Sequence, residues 1–152
     1  MSSNAPTVDP RGLRFGAALT ALVLAVALGT AELVPALSTT LVVLQALAFA
    51  AGAGLGPGRS PYGVLFKRAV RPRLGPPSET EDARPPRFAQ AVGLFFTLLA
   101  LVGVVTGVAA LTLTALALAL VAAVLNASVG LCLGCETYLL YRRLASREAA
   151  QA

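Results

Sequence analysis

The residues best suited to chemistry are Cys132-Leu133-Gly134-Cys135. Thiols separated by two residues can close a local disulfide, and if a helix begins there, its unpaired amides and dipole stabilise thiolate. Cys132 is then the candidate nucleophile and Cys135 the resolving thiol, and these two are the candidate catalytic residues. Gly134 keeps the approach uncrowded. Glu136 opposes thiolate formation unless an arginine such as Arg142 neutralises it. Three readings of the pair stay open: thiol redox or sulfur handling, inert interfacial thiols, and a metal site. The last needs four ligands. With no histidine in the chain, only a second copy or carboxylates would complete such a set, so neither a metal nor a cofactor is assigned. The missing histidine also removes Ser-His-Asp triads and His-ligated haem.

The elements that must position the pair are apolar. Charged residues make up 12% of the 152, about half the usual share of a soluble domain, roughly 25%. Long uncharged runs cover Phe15 to Ala31, Leu37 to Leu55, Phe88 to about Ala109, and about Leu111 to Val129. Each approaches the ~20 residues that cross ~30 Å of hydrocarbon at ~1.5 Å per residue. The expected fold is all-α, a polytopic membrane four-helix bundle made of two hairpins, the second turning near Thr106 and Gly107. A cleaved leader over residues 11 to 31, ending near Gly29-Thr30-Ala31, is the competing reading. It would leave three spans and break the charge pattern described next.

Gly56 to Arg87 holds seven of the ten prolines and seven of the twelve basic residues. Its first part predicts an amphipathic interfacial helix, with Tyr62, Leu65, Phe66, Ala69 and Val70 on one face and Lys67, Arg68 and Arg71 off it. Pro72 to Pro86 predicts an irregular loop, because proline removes donors and disfavours helix before it. A second interfacial helix is expected after the cysteines, with Leu140, Tyr141 and Leu144 on its apolar face. Of the other basic residues, two precede the first span and three follow the last, and the opposite turns have none. The positive-inside rule therefore puts both termini and the central segment on the cytoplasmic side of a multi-pass cell-membrane protein, and an internal repeat, which sets the cysteines opposite the Gly56 to Tyr62 turn, puts them at that same interface.

Asp9, Arg11, Arg14 and Phe15 have the spacing of Asp82, Arg84, Arg87 and Phe88, an offset of 73 throughout. Leu65-Phe66-Lys67-Arg68 is likewise matched by Leu140-Tyr141-Arg142-Arg143. The whole chain, 1–152, thus reads as a single membrane domain: repeat one at 9–71, a Pro-rich cytoplasmic loop at 72–81, and repeat two at 82–147. The repeats would be parallel, related by a pseudo-two-fold axis along the membrane normal. The Asp-x-Arg-x-x-Arg-Phe elements read as topology anchors, or as a device bringing Arg14 and Arg87 together on one anionic group. Gln45 and Asn126 are costly in hydrocarbon and should face the bundle interior. Small residues along the spans permit close helix contact, so a homo-oligomer is compatible with them.

Asp9 to Phe15, Ser60-Pro61-Tyr62-Gly63, Arg71 to Pro77, Glu81 to Gln90 and Cys132 to Glu136, in that order over nearly the whole chain, resemble a bacterial membrane family described as domain of unknown function 4395. The resemblance implies an integral membrane protein often encoded beside thioredoxin-like and sulfurtransferase proteins, with Cys132 and Cys135 at the matching positions. One expectation is a thiol-redox or sulfur-transfer component working with a cytoplasmic thioredoxin-like or sulfurtransferase partner. The other is a non-catalytic anchor or accessory subunit whose basic cytoplasmic face recruits a partner or anionic lipid. Whether the chain is an enzyme stays open between them. Nucleic acid is not an expected partner, because the basic segment is bounded by spans and interrupted by acids; the lipid bilayer is.

Overall fold

A computed structural model describes residues 6–151, with side chains described for 6–146. The chain forms an all-α bundle. Four helices are long and apolar enough to cross a membrane: α1 (Pro10–Thr30), α2 (Pro35–Leu55), α5 (Arg84–Thr106) and α6 (Ala109–Val129). Shorter elements join them, α3 (Pro61–Leu65), a π turn (Phe66–Val70) and α4 (Arg71–Leu74), and α7 (Leu133–Gln151) closes the chain.

Three of the four long helices carry proline at or next to their first residue, which lets them start before the apolar runs. Pro10, Pro35 and Pro85 occupy first-turn positions, where a missing N–H breaks no helical bond and the fixed φ is already helical. Asp9 caps α1, its Oδ1 accepting the Arg11 N–H at 3.0 Å. The hairpin turns lie at one end of the bundle, and Gly107 closes the second with φ 72°.

The four helices form a ring. α1 packs most extensively on α6 and α2 on α5, and α1–α2 and α5–α6 complete the circuit. The core of Leu24, Ala27, Val42, Ala100, Ala115 and Leu116 fills the half nearer the turns. There Ser38 Oγ donates to Ala27 O at 2.8 Å and Thr112 Oγ1 to Ala100 O at 3.2 Å, one bond across each hairpin. Such bonds give a hydroxyl in an apolar medium a partner it would otherwise lack. Outward, Leu22, Leu44, Leu47, Phe95 and Val121 are exposed, the pattern of a surface meant for lipid rather than water.

The opposite end is polar and more elaborate. β1 (Thr7–Val8) pairs antiparallel with β2 (Glu81–Asp82), Thr7 opposite Asp82 and Val8 opposite Glu81, and so ties the start of α1 to the start of α5. The irregular segment is shorter than the prolines imply. Helix continues through Leu74 despite Pro72, because the preceding turn widens and Arg71 N donates to Phe66 O, relieving the clash that proline makes with the carbonyl four residues back. The widened turn also splits the expected apolar face of this segment. Phe66 turns inward, nearly buried, against Phe15 at 5.7 Å between ring centroids, while Leu65 and Ala69 stay exposed.

Candidate functional site

Each hairpin exits through a glycine with positive φ, Gly56 (97°) and Gly130 (74°), conformations that side chains other than glycine rarely adopt. After Gly130 the chain makes a short link and α7 begins at Leu133. Cys132 stands just before that helix and Cys135 in its first turn. The two are joined as a disulfide, with Cα atoms 5.2 Å apart. Cys132 Sγ also accepts the Cys135 N–H at 3.4 Å, the bond that a capping side chain makes to a free amide of the first turn.

The helix is held over α5 by its first turns. A Cβ at Gly134 would lie 2.7 Å from Ala89 Cα, so only glycine allows this approach. Tyr138 packs on Phe88 with ring centroids 5.7 Å apart. Further along, Leu140, Tyr141 and Leu144 are exposed. Glu136 makes no ion pair among the described residues, and Arg142 lies instead in the field of Asp82.

Both cysteines line a cavity of about 1190 Å³ that opens at this end of the bundle. It penetrates to Thr20 and Ala119, each at the midpoint of its helix. A buried hydrogen-bond chain crosses its wall: Tyr62 OH donates to Gln45 Oε1 at 2.7 Å, and Gln45 Nε2 donates to Thr20 Oγ1 at 3.3 Å. Burial raises the Tyr62 phenol above its ordinary value, so it acts here as a neutral donor. Gln45 is fully buried and Asn126 faces the cavity.

Arg14 and Arg87 do not converge on a common anion. Arg14 Nη2 donates to Ser128 O at 2.8 Å and its guanidinium also reaches Ala127 O. Arg87 donates to Ala53 O and Gly54 O at 2.5 and 2.6 Å. Each guanidinium therefore satisfies carbonyls left unpaired at the end of the helix in the other hairpin. That use is cheaper than holding two cations together. Asp9 and Asp82 are paired with Arg11 and Arg84, which hold both carboxyls below the ordinary range.

With this geometry described, comparison with known proteins adds one match. The model of the family described as "Domain of unknown function (DUF4395)" matches residues 8–143. The chain belongs to the DUF4395 family. No curated protein and no solved structure matches it.

The DUF4395 match includes both cysteines and every cavity residue named so far. Gln90, Lys67 and Arg71 also line the cavity, a role assigned to none of them from the sequence. Gln90 had a signal: an amide three positions beyond Arg87, on the same side of a helix about to enter an apolar run. Its neighbour Gly52 sits so close that a Cβ there would collide with the Gln90 side chain.

Proposed function

We propose that this DUF4395 protein is a membrane thiol–disulfide exchange component whose working pair is Cys132 and Cys135, open to a protein thiol partner from the end of the bundle where its arginines gather. The observation that carries this reading is that the pair is joined at the start of α7 and lines the cavity, rather than being packed into the core. In the oxidised form, a partner thiolate attacks Cys132 Sγ and breaks the Cys132–Cys135 bond, leaving a mixed disulfide and a Cys135 thiolate. A second partner thiolate then displaces Cys132. The partner leaves oxidised, and the two electrons and two protons stay on the pair. The Cys135 N–H directed at Cys132 Sγ and the positive end of α7 favour thiolate at Cys132.

The basic end is read as cytoplasmic, which makes a thioredoxin-like or sulfurtransferase protein the natural partner class. The two hairpins are read as parallel repeats. Support comes from the matched bonds of Ser38 and Thr112, of Arg14 and Arg87, and of Asp9 and Asp82, each pair 73 or 74 residues apart.

The test is a redox titration of the native protein in membranes, read by differential alkylation. A single two-electron transition is expected, lost in both Cys132→Ser and Cys135→Ser, with mixed-disulfide capture of a partner by Cys135→Ser. The exposure of Arg68, Arg71 and Arg73 favours a second reading, an anchor that recruits acidic partners or anionic lipid. Unreactive thiols, silent cysteine variants and a phenotype only from Arg68→Glu with Arg71→Glu would establish that reading instead.

A further inference from the structure

The cavity penetrates further than protein thiol exchange requires. A protein partner needs the sulfurs only at the mouth, yet the lumen continues from them to the middle of α1 and α6, roughly 15 Å along a helix of 10 further residues at ~1.5 Å each. Its inner wall is apolar and uncharged: Phe49, Phe96, Leu118, Ala119 and Ala123. Between that wall and the mouth stand two side-chain amides, Gln90 on α5 and Asn126 on α6, and neither has a side-chain hydrogen bond among the described residues. Every other amide or hydroxyl named in the bundle interior is used: Gln45 by Thr20 and Tyr62, Thr97 by the carbonyls of its own helix, Ser38 and Thr112 across the hairpins.

Those features restrict what fits. A lumen of about 1190 Å³ is at or above the upper end of drug-sized ligand sites, ~300–1,000 Å³. The uncharged inner wall disfavours a charged group at that depth, where nothing repays its desolvation, and leaves the positive charges of Arg14, Lys67 and Arg71 at the mouth. A side-chain amide both donates and accepts, so Gln90 and Asn126 can hold a ring carbonyl and, after reduction, the hydroxyl formed from it. A dithiol closing to a disulfide releases two electrons and two protons, and a carrier that stays neutral in both states can take them in an apolar site.

Resting on the thiol-exchange reading, we propose that the cavity between the hairpins binds a lipid-soluble quinone-class carrier, which reoxidises Cys132 and Cys135. The two S–H bonds are lost, the S–S bond forms, and both electrons and both protons pass to the two carbonyl oxygens of the quinone, giving one quinol per disulfide.

The full-length protein, reduced, freed of reductant and held anaerobically in nanodiscs of phosphatidylethanolamine and phosphatidylglycerol, is mixed with decylubiquinone. Every ring carbon of this probe is substituted, so it resists direct thiol addition. The expected result is one quinol formed for each two thiols lost. The rate falls at least tenfold in Asn126→Leu, which removes an amide at similar volume, and in Ala122→Leu, which fills the lumen. Each rate is taken relative to the same variant's reduction by dithiothreitol, so that a distorted disulfide is not scored as a lost quinone site. Wild-type protein that exchanges with dithiothreitol but yields no quinol overturns the quinone proposal and leaves the thiol reading standing. Wild-type protein inert to both overturns the two together. Quinol formation at the wild-type rate in both variants also overturns the proposal, by placing the reaction outside this cavity.

Discussion

The segments leaving the two hairpins solve the same local problem with different atoms. Both follow a positive-φ glycine, and both begin a helix in which one first-turn amide is met by the side chain three residues earlier: Ser60 Oγ accepts from Gly63 N at 3.1 Å, and Cys132 Sγ from Cys135 N at 3.4 Å. Ser60 is buried and also donates to Pro57 O at 2.7 Å, so its hydroxyl is consumed by folding. Cys132 and Cys135 are half-exposed at the cavity. Sulfur is a weak acceptor, so a thiol is a poor choice for capping alone. The first exit is built to be rigid, and the second keeps a capping position reachable for chemistry.

The largest expected effect separates the two exits by what surrounds their glycines. A Cβ at Gly63 would strike the Pro57 carbonyl oxygen and lie 3.1 Å from Gly58 Cα; both are backbone and cannot swing aside. Gly63→Ala should destabilise the protein by about 1–3 kcal/mol, the usual range for overpacking, read as a lower midpoint for thermal loss of monodisperse protein in detergent. At Gly134 the obstacle is also backbone, but α7 is exposed from Leu139 to Ser146 and can tilt away. Gly134→Ala should therefore cost less and speed alkylation of the reduced Cys135. Equal losses, or unchanged alkylation, would break the contrast between a rigid exit and a movable one.

A smaller effect tests the caps themselves. Ser60→Ala removes an N-cap oxygen and should cost about 0.5–2 kcal/mol. Cys132→Ser, compared with wild-type protein under reducing conditions, replaces a weak acceptor by a better one and should leave the thermal midpoint unchanged or slightly raised. A clear loss in Cys132→Ser would mean that the sulfur contributes packing that a hydroxyl cannot supply, and the second exit would then be structural like the first.

The same contrast explains what could be read from the residues alone. The ends of α2 and α6 at Leu55 and Val129 coincide with the ends of the second and fourth apolar runs, because hydrocarbon thickness demands such runs and glycine stops them. The early starts at Pro10, Pro35 and Arg84 were hidden because proline, at or next to each of them, looks like a breaker wherever its place in the turn is unknown. Gln45 was legible as inward-facing because an amide in hydrocarbon must find a partner. The cavity was not. Ala119, Ala122, Ala123 and Gly93 read identically whether they let helices close up or leave a lumen, and only the ring order of α1, α2, α5 and α6 distinguishes the two. The capping roles of Arg14 and Arg87 were hidden for a related reason: their partners are carbonyls more than thirty residues away.

The smallest expected effect concerns the polar ends that the strand pair ties together. Asp9 and Asp82 make the same bonds to an arginine two positions on, but their side-chain exposures are 12% and 38%. Both carboxyls titrate below the ordinary 3.8, first because of the arginine side-chain hydrogen bond. The folded state thus holds these protons less tightly than the unfolded chain does. The stabilisation is fully present above the ordinary carboxylate range and is lost as pH falls through the lowered folded values. Thermal midpoints measured from pH 7 down to about pH 3 should fall in acid for the wild type. Asp9→Asn should flatten that acid limb more than Asp82→Asn, because solvent screens the more exposed pair and because Asp9 is also the N-cap of α1. An equal response of the two variants would mean that the strand pair and Arg84 hold the start of α5 as firmly as the cap holds α1, and that the two polar ends differ in exposure only.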